Sequence, residues 1–288
     1  MDKSKVHALI SLLDDPSEVV FCSVEEELLK EEVEIVDELE KAWEDSHNDM
    51  FQRRVENIIH HLQIKDVKSL MAKWINEGGK DLFYGAFLVA KYRYPDLNFE
   101  ELNEKVNRIR RDVWLELNNH LTSLEKVRII NHILFDLNKF ARNSSNFFAP
   151  QNSYINDVLD SKKGNPISLS ILYSVIAQRL GLPVYGVNLP KNFILCYLDE
   201  NIVQETGNED VDRVMFYINP VNKGAILGRK EIEYFIKQQK LKEQSSYFNP
   251  CSNIEIIKRV LFNLIYAYEN QGDEEKMLEI KELMKLFN

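Results

Sequence analysis

The sequence predicts a mixed α+β protein that is mostly helical, with one small antiparallel sheet in its second half. Three observations support this fold class. Apolar residues recur at helical spacing through the first half of the chain, short aromatic and β-branched runs follow, and two amphipathic segments come last. These changes along the chain predict a helical N-terminal domain over residues 1–142, an α+β core over 143–245, and a helical hairpin over 246–288.

The N-terminal part contains two segments of weakly similar pattern. Residues 8–29 and residues 35–59 each have the pattern of a helix, an acidic turn and a second helix. Tandem helical pairs of this kind are typical of HEAT-type repeats, in which each pair buries its apolar face against the next. We therefore expect a HEAT-like helical N-terminal domain, which ends at the loop Asn143-Ser144-Ser145-Asn146.

The core is predicted to combine a buried helix with a sheet. Residues 184–189, 192–198 and 213–218 are short runs rich in aromatic and β-branched side chains, which are typical of strands. The acidic segment between the second and third runs, residues 200–212, predicts a hairpin with an exposed tip. The final helices join at Gln271-Gly272-Asp273, which predicts a TPR-like hairpin docked on the core.

The charge and the cysteines exclude several classes of protein. The chain has 288 residues and a net charge of −10, so attraction to a nucleic-acid backbone is disfavoured. The three cysteines are far apart, which suits reduced thiols rather than a disulfide framework or a zinc knuckle. The apolar run near the N-terminus is too short for a signal peptide or a membrane span. We expect a cytoplasmic protein without a metal, a cofactor or a membrane partner.

The middle of the chain carries a specific set of motifs. It resembles the transglutaminase-like, papain-type family that includes the bacterial SirB proteins. The matching features are Asn152-Ser153, Val158-Leu159, residues 163–169, residues 179–183, Gly186-Val187, and Leu189-Pro190 before Phe193. The resemblance implies a helical N-terminal domain and a TPR-like tail around this core. It also implies a groove at the start of the buried helix.

The resemblance also implies which residues stand at the catalytic positions. Active relatives carry a cysteine, a histidine and an aspartate as a triad, and the matching positions here are Pro166, Asn192 and Asn219. Proline offers no nucleophile, and neutral amides do not exchange a proton near pH 7. A simpler role also explains two of the motif residues, since Asn165 can cap a helix that begins at Pro166.

A displaced nucleophile is the alternative to an inactive site. Cys196 lies four residues after Asn192, but apolar neighbours on both sides predict an inert thiol in the core. No histidine follows His132, so a mechanism within the core would need a base from the N-terminal half. The candidate groove residues are Asn152, Gly164, Asn165, Ser168, Asn192, Cys196 and Asn219.

Three functions are compatible with this sequence. The first is a non-catalytic protein whose groove binds a peptide or protein partner. The second is a cysteine-dependent amide or ester hydrolase, or an acyltransferase, with a non-standard site. The third is a structural scaffold in which the groove has no role. The first is our expectation, because all three catalytic positions carry residues without the required chemistry.

Overall fold

The computed structural model describes residues 3–199 and 213–287. Within it the chain forms two compact units, Met1–Lys73 and Trp74–Asn288. The acidic segment 200–212, predicted to be a hairpin, lies outside the described residues. No helix in the described part of the chain is long and apolar enough to cross a membrane.

The first unit consists of two helical pairs, as the sequence predicts. The helices are α1 (Lys3–Ser11), α2 (Glu18–Leu28), α3 (Val36–Asp45) and α4 (Asp49–Asn76), the last of which continues into the second unit. Leu13, Leu28 and Leu39 are fully buried in the shared core of these helices. Arg54 fixes the turn before α2, because its guanidinium donates to the carbonyl oxygens of Leu13 at 2.9 Å and Asp15 at 2.8 Å.

The second unit is built around one buried helix. Its other helices in this part of the chain are α5 (Leu82–Arg93), α6 (Phe99–Glu116), α7 (Ser123–Asn131) and α8 (Ile155–Ser161), and a π-helical turn (His132–Leu137) extends α7. The buried helix is α9 (Pro166–Gln178), and α5, α6 and α8 all pack against it. Every residue of α9 from Ile167 to Ala177 is buried. The left-handed conformation of Gly181, at φ 73°, follows the end of this helix.

The three predicted strands pair in one antiparallel sheet. The strands are β3 (Val184–Val187), β4 (Ile194–Leu198), β5 (Val214–Asn219) and β6 (Ala225–Leu227), hydrogen-bonded in that order. The observed strands β3 and β4 are shorter than the predicted runs, and β6 was not predicted. Two further short strands, β1 (Ala141–Arg142) and β2 (Lys163–Gly164), form a separate parallel pair. Helix α9 packs against β3 and β4, so the mixed fold class is confirmed.

The C-terminal helices are α10 (Arg229–Gln238), α11 (Asn253–Gln271) and α12 (Glu274–Met284). The left-handed Gly272, at φ 73°, ends α11 and allows α12 to turn back along it. Helix α11 packs against α5 and α9, and the hydroxyls of Tyr154 and Tyr268 are hydrogen-bonded at 2.7 Å. Helices α11 and α12 thus form a hairpin that packs on α5 and α9 through α11.

The domain boundaries stay predictions. The contacts divide the chain at 73/74, so α5, α6 and α7 belong to the same compact unit as the buried helix and the sheet. The sequence-based boundaries at 142/143 and 245/246 both fall within that unit. The change of residue pattern at 143 marks where the sheet-containing segment begins. It does not separate two compact units, because α5 and α6, which precede it, pack on α9.

Candidate functional site

The start of α9 is fixed by a reciprocal set of hydrogen bonds. The Ser168 amide donates to Oδ1 of Asn165 at 2.9 Å, and the Asn165 amide donates to Oγ of Ser168 at 3.1 Å. Pro166 is the first helical residue, where its missing N–H costs no hydrogen bond. Asn165 and Pro166 thus have the helix-initiating role that the sequence predicts.

A cleft of about 570 Å³, including solvent at its mouth, opens at this end of α9. Asn165, Pro166 and Asn192 all line it, so two of the positions that the resemblance assigns to a triad face the same space. Asn192 lies just before β4, and its Oδ1 accepts a hydrogen bond from the Phe193 amide at 2.9 Å. None of the described residues that line this cleft is a cysteine, a histidine or an acid.

Three of the candidate groove residues lie behind the cleft rather than on its surface. Asn152 is buried, and its Nδ2 donates to the carbonyl oxygens of Asn146 and Phe147 at 2.7 and 3.0 Å. Ser168 is also buried, and its Oγ donates to the Asn152 carbonyl at 2.6 Å. A Cβ atom added to Gly164 would stand 2.6 Å from that same Oγ, so the backbone approaches too closely for a side chain.

Asn219, the third position of the implied triad, lies at the end of β5 and is not among the residues that line the cleft. Leu195 of β4 pairs with Ile218 of β5 in an antiparallel register. The adjacent position on β5, Asn219, therefore lies opposite Ile194. Its Oδ1 is buried and has no hydrogen-bond partner among the residues that the structure describes. The structure therefore brings Asn192 and Asn219 to the same region of the sheet but only Asn192 to the cleft.

Cys196 is fully buried, as predicted, in the apolar cluster between the sheet and α10. Burial, with a smaller effect of Cys251, raises the pKa of its thiol to about 12, so it stays protonated at neutral pH. His132, the last histidine of the chain, is exposed and pairs with Asp136 at 3.5 Å. It does not line the cleft. Neither residue is placed to act as nucleophile or base there.

An exposed aromatic rim forms part of the cleft lining. We use this name for Phe147, Phe148 and Tyr266. The Phe148 ring makes edge-to-face contacts with Phe147 at 5.1 Å and with Tyr266 at 5.6 Å between centroids. Arg142 stacks over the Phe147 ring at 4.4 Å. Large aromatic side chains that remain in water beside a concave site are typical of binding surfaces.

One wall of the cleft comes from α11, a helix far along the chain from the motif residues. Arg259, Asn263 and Tyr266 recur at i, i+4 and i+7, so they share one face of the helix and line the cleft together. Lys191 adds a second cation from the turn before β4, where its backbone is left-handed at φ 61°. The helical spacing of these three α11 residues can be read from the sequence, but the sequence does not show that this face of α11 lines the cleft.

A buried helix that starts at the floor of a cleft and packs on an antiparallel sheet defines the class of a papain-type α+β core. A sequence model described as the transglutaminase-like superfamily matches residues 100–262. The chain belongs to this superfamily. The match begins before β1, in agreement with the packing of α6 against α9.

Curated relatives include bacterial and mammalian proteins. A UPF0162 protein of Xylella fastidiosa is 28% identical over 196 residues, which is 65% of this chain and 66% of the relative. F-box only protein 21 of Homo sapiens is 29% identical over 161 residues, which is 55% of this chain and 24% of that protein. Protein SirB1 of Salmonella typhimurium is 27% identical over 47% of each chain. The chain therefore spans slightly less than two thirds of the first of these relatives. No solved structure matches it.

Proposed function

We propose that this protein is a non-catalytic member of its superfamily, and that its cleft binds a segment of a peptide or protein partner. The observation that carries the proposal is the combination of an open cleft with an exposed aromatic rim. A concave site that combines apolar walls with a few polar groups is typical of ligand-binding clefts. Rim residues such as Phe148 would bury apolar area against the partner.

The chemistry of the cleft supports binding rather than covalent catalysis. Its described lining offers amides, cations and aromatic rings, but no thiol and no imidazole. The cysteine-dependent alternative would need Cys196 as thiolate, and burial strongly disfavours that state. Asn192 and Asn263 have side-chain amides that can donate hydrogen bonds to the backbone of a bound peptide.

Selection from a displayed library of random peptides, with the full chain as bait, tests the proposal. We expect the selected peptides to lose about tenfold or more in affinity on Tyr266→Ala, since tyrosine is enriched among the few interface residues whose truncation costs about 2 kcal/mol or more. Tyr234→Ala is the matched control, because Tyr234 is 66% exposed and Tyr266 is 53% exposed, and Tyr234 does not line the cleft.

A second variant, Asn192→Trp, places a bulky ring in the cleft and should abolish binding of the same peptides. The proposal is wrong if the selected peptides bind both cleft variants as tightly as the unaltered chain. It is also wrong if repeated selections yield no peptide that depends on the cleft.

A further inference from the structure

The cleft has a charge that contrasts with the rest of the molecule. The whole chain carries a net charge of −10, yet the charged residues that line the cleft in the described part of the chain are Lys191 and Arg259. A concave site lined by one sign of charge concentrates ligands of the opposite sign. The cleft of this acidic protein is therefore suited to an anionic group.

Arg259 is the main reason to expect an anionic ligand in the cleft. It is half-buried on α11, and its Nη1 donates a long hydrogen bond of 3.5 Å to Oδ1 of Asn188. Among the described residues it has no carboxylate partner. Burial lowers the pKa of its guanidinium, and no neighbouring acid opposes that effect. A charge that is partly removed from water without a counter-ion destabilises the folded chain, and a bound anion would offset this cost.

Neutral donors line the same cleft as the guanidinium. Asn263 lies one helical turn after Arg259, and its side chain has no hydrogen-bond partner among the described residues. The Nδ2 of Asn192 is equally without a partner there, because only its Oδ1 accepts from Phe193. Unpaired amide donors beside a guanidinium complement the two oxygens of a carboxylate.

We infer that the cleft binds a ligand through a carboxylate held by Arg259, with the apolar part of the ligand against the aromatic rim. This inference rests on the proposed peptide-binding function and names the group that the cleft recognises. A guanidinium binds a carboxylate through two parallel hydrogen bonds, which a lysine does not reproduce. In a peptide the carboxylate comes either from the C-terminus or from an Asp or Glu side chain.

The first experiment uses a small probe and does not depend on peptide binding. 3-Phenylpropionate carries one aromatic ring and one carboxylate, and 3-phenylpropanamide is its neutral counterpart. We expect NMR titration of the full chain to show binding of the acid and about tenfold to hundredfold weaker binding of the amide. Arg259→Gln should bring the affinity for the acid down to that for the amide.

Arg179→Gln is the matched control for this variant. Arg179 is also half-buried, burial likewise lowers its pKa, and it donates to Oδ1 of Asn107 at 3.2 Å. It does not line the cleft. The change in net charge is the same in both variants, so an effect of charge alone would weaken binding equally. We expect Arg179→Gln to leave the affinity for both probes unchanged, and Arg259→Lys to recover only part of the lost affinity.

The second experiment separates the two sources of the carboxylate. Selected peptides are compared as free acids and C-terminal carboxamides, and with each Asp or Glu replaced by its amide. The change that weakens binding identifies whether the carboxylate comes from the C-terminus or from a side chain. Phosphorylated versions of the peptides test whether a doubly charged group binds more tightly. Tighter binding of the phosphorylated forms through Arg259 would overturn the carboxylate assignment.

The outcomes distinguish this inference from the proposed function. Binding of 3-phenylpropionate through Arg259 without any cleft-dependent peptide would refute peptide binding and leave a small-molecule carboxylate site. Cleft-dependent peptides that bind equally well to the unaltered chain and to Arg259→Gln would refute the carboxylate inference alone. Equal affinity of the chain for the acid and the amide probe would also refute it.

Discussion

Replacement of Asn165 by alanine tests how the buried cap positions the cleft. Asn165 is 7% exposed, and its side chain has two partners, the Ser168 amide at 2.9 Å and Oγ of Ser153 at 2.8 Å. Loss of an N-cap costs about 1 kcal/mol, and each buried group left without a partner costs about 1–3 kcal/mol more. We expect Asn165→Ala to lower the free energy of unfolding by about 2–4 kcal/mol.

The matched control is Thr122→Ala, which removes the same kind of cap from α7 at an exposed position. There the Glu125 amide donates to Oγ1 of Thr122 at 3.3 Å, and water can replace the lost acceptor. We expect this change to cost about 0.5–1 kcal/mol. Asn165→Asp should lie between the two, because it keeps the acceptor for Ser168 but cannot donate to Ser153.

Urea unfolding, followed by circular dichroism and by tryptophan fluorescence, measures these differences. Coincident transitions by the two probes are needed before a single free energy of unfolding is extracted from a chain with two compact units. With a slope of about 2–3 kcal/mol per molar urea, Asn165→Ala should lower the midpoint by about 1 M. The reasoning is refuted if Asn165→Ala costs no more than Thr122→Ala.

Three further predictions concern buried groups elsewhere in the chain. At pH 8 a disulfide reagent should modify the exposed Cys22 quickly and Cys196 only after unfolding, because a pKa of about 12 leaves very little thiolate. Gly224→Ala should destabilise the chain by at least about 2 kcal/mol in urea unfolding, since φ is 72° and the new Cβ would lie 1.9 Å from Oδ1 of Asn131. Asp157→Asn should raise the melting temperature more at pH 7 than at pH 4.

The sign of the last prediction follows from burial, which raises the pKa of Asp157 above its ordinary value of 3.8 in the folded chain. The carboxyl group therefore favours folding most below its ordinary pKa, and this contribution is lost as pH rises through the folded value. An amide carries no charge at either pH and still accepts the Tyr94 hydroxyl, which donates at 2.8 Å. A stability difference that does not change with pH would contradict this explanation.

Specific results would also contradict the predictions for Cys196 and Gly224→Ala. Fast modification of Cys196 in the folded chain would mean that its thiol is accessible, which would revive the cysteine-dependent alternative. A small loss of stability for Gly224→Ala would mean that Asn131 can move aside. That result would also weaken the case for its hydrogen bond to the Gly224 carbonyl at 2.9 Å.

The sequence predicted the parts of the fold that depend on local composition. The runs that form β3, β4 and β5 are rich in aromatic and β-branched residues, and Asn165-Pro166 marks the start of α9. Strands of two or three residues, such as β1 and β6, are too short to produce a recognisable alternation. Their pairing is decided by tertiary contacts.

The candidate site was predicted only in part, because some of its residues reach the cleft only through tertiary contacts. The resemblance identified Asn165, Pro166 and Asn192 because they lie within one continuous motif, and the structure brings them to one cleft. Arg259 and Asn263 are far along the chain from that motif, and they reach the cleft only because α11 docks on α9. A partner, a cytoplasmic location and the resemblance of the C-terminal hairpin to TPR units stay predictions.

The position of α11 has a consequence for the biosynthesis of the protein. The loop with Phe147 and the start of α9 emerge from the ribosome well before Arg259 and Tyr266, which complete the wall and the rim. A nascent chain that ends before α11 therefore lacks the four residues that this helix supplies to the cleft, Arg259, Asn263, Tyr266 and Ala267. The cleft is therefore complete only after this helix has packed on α9.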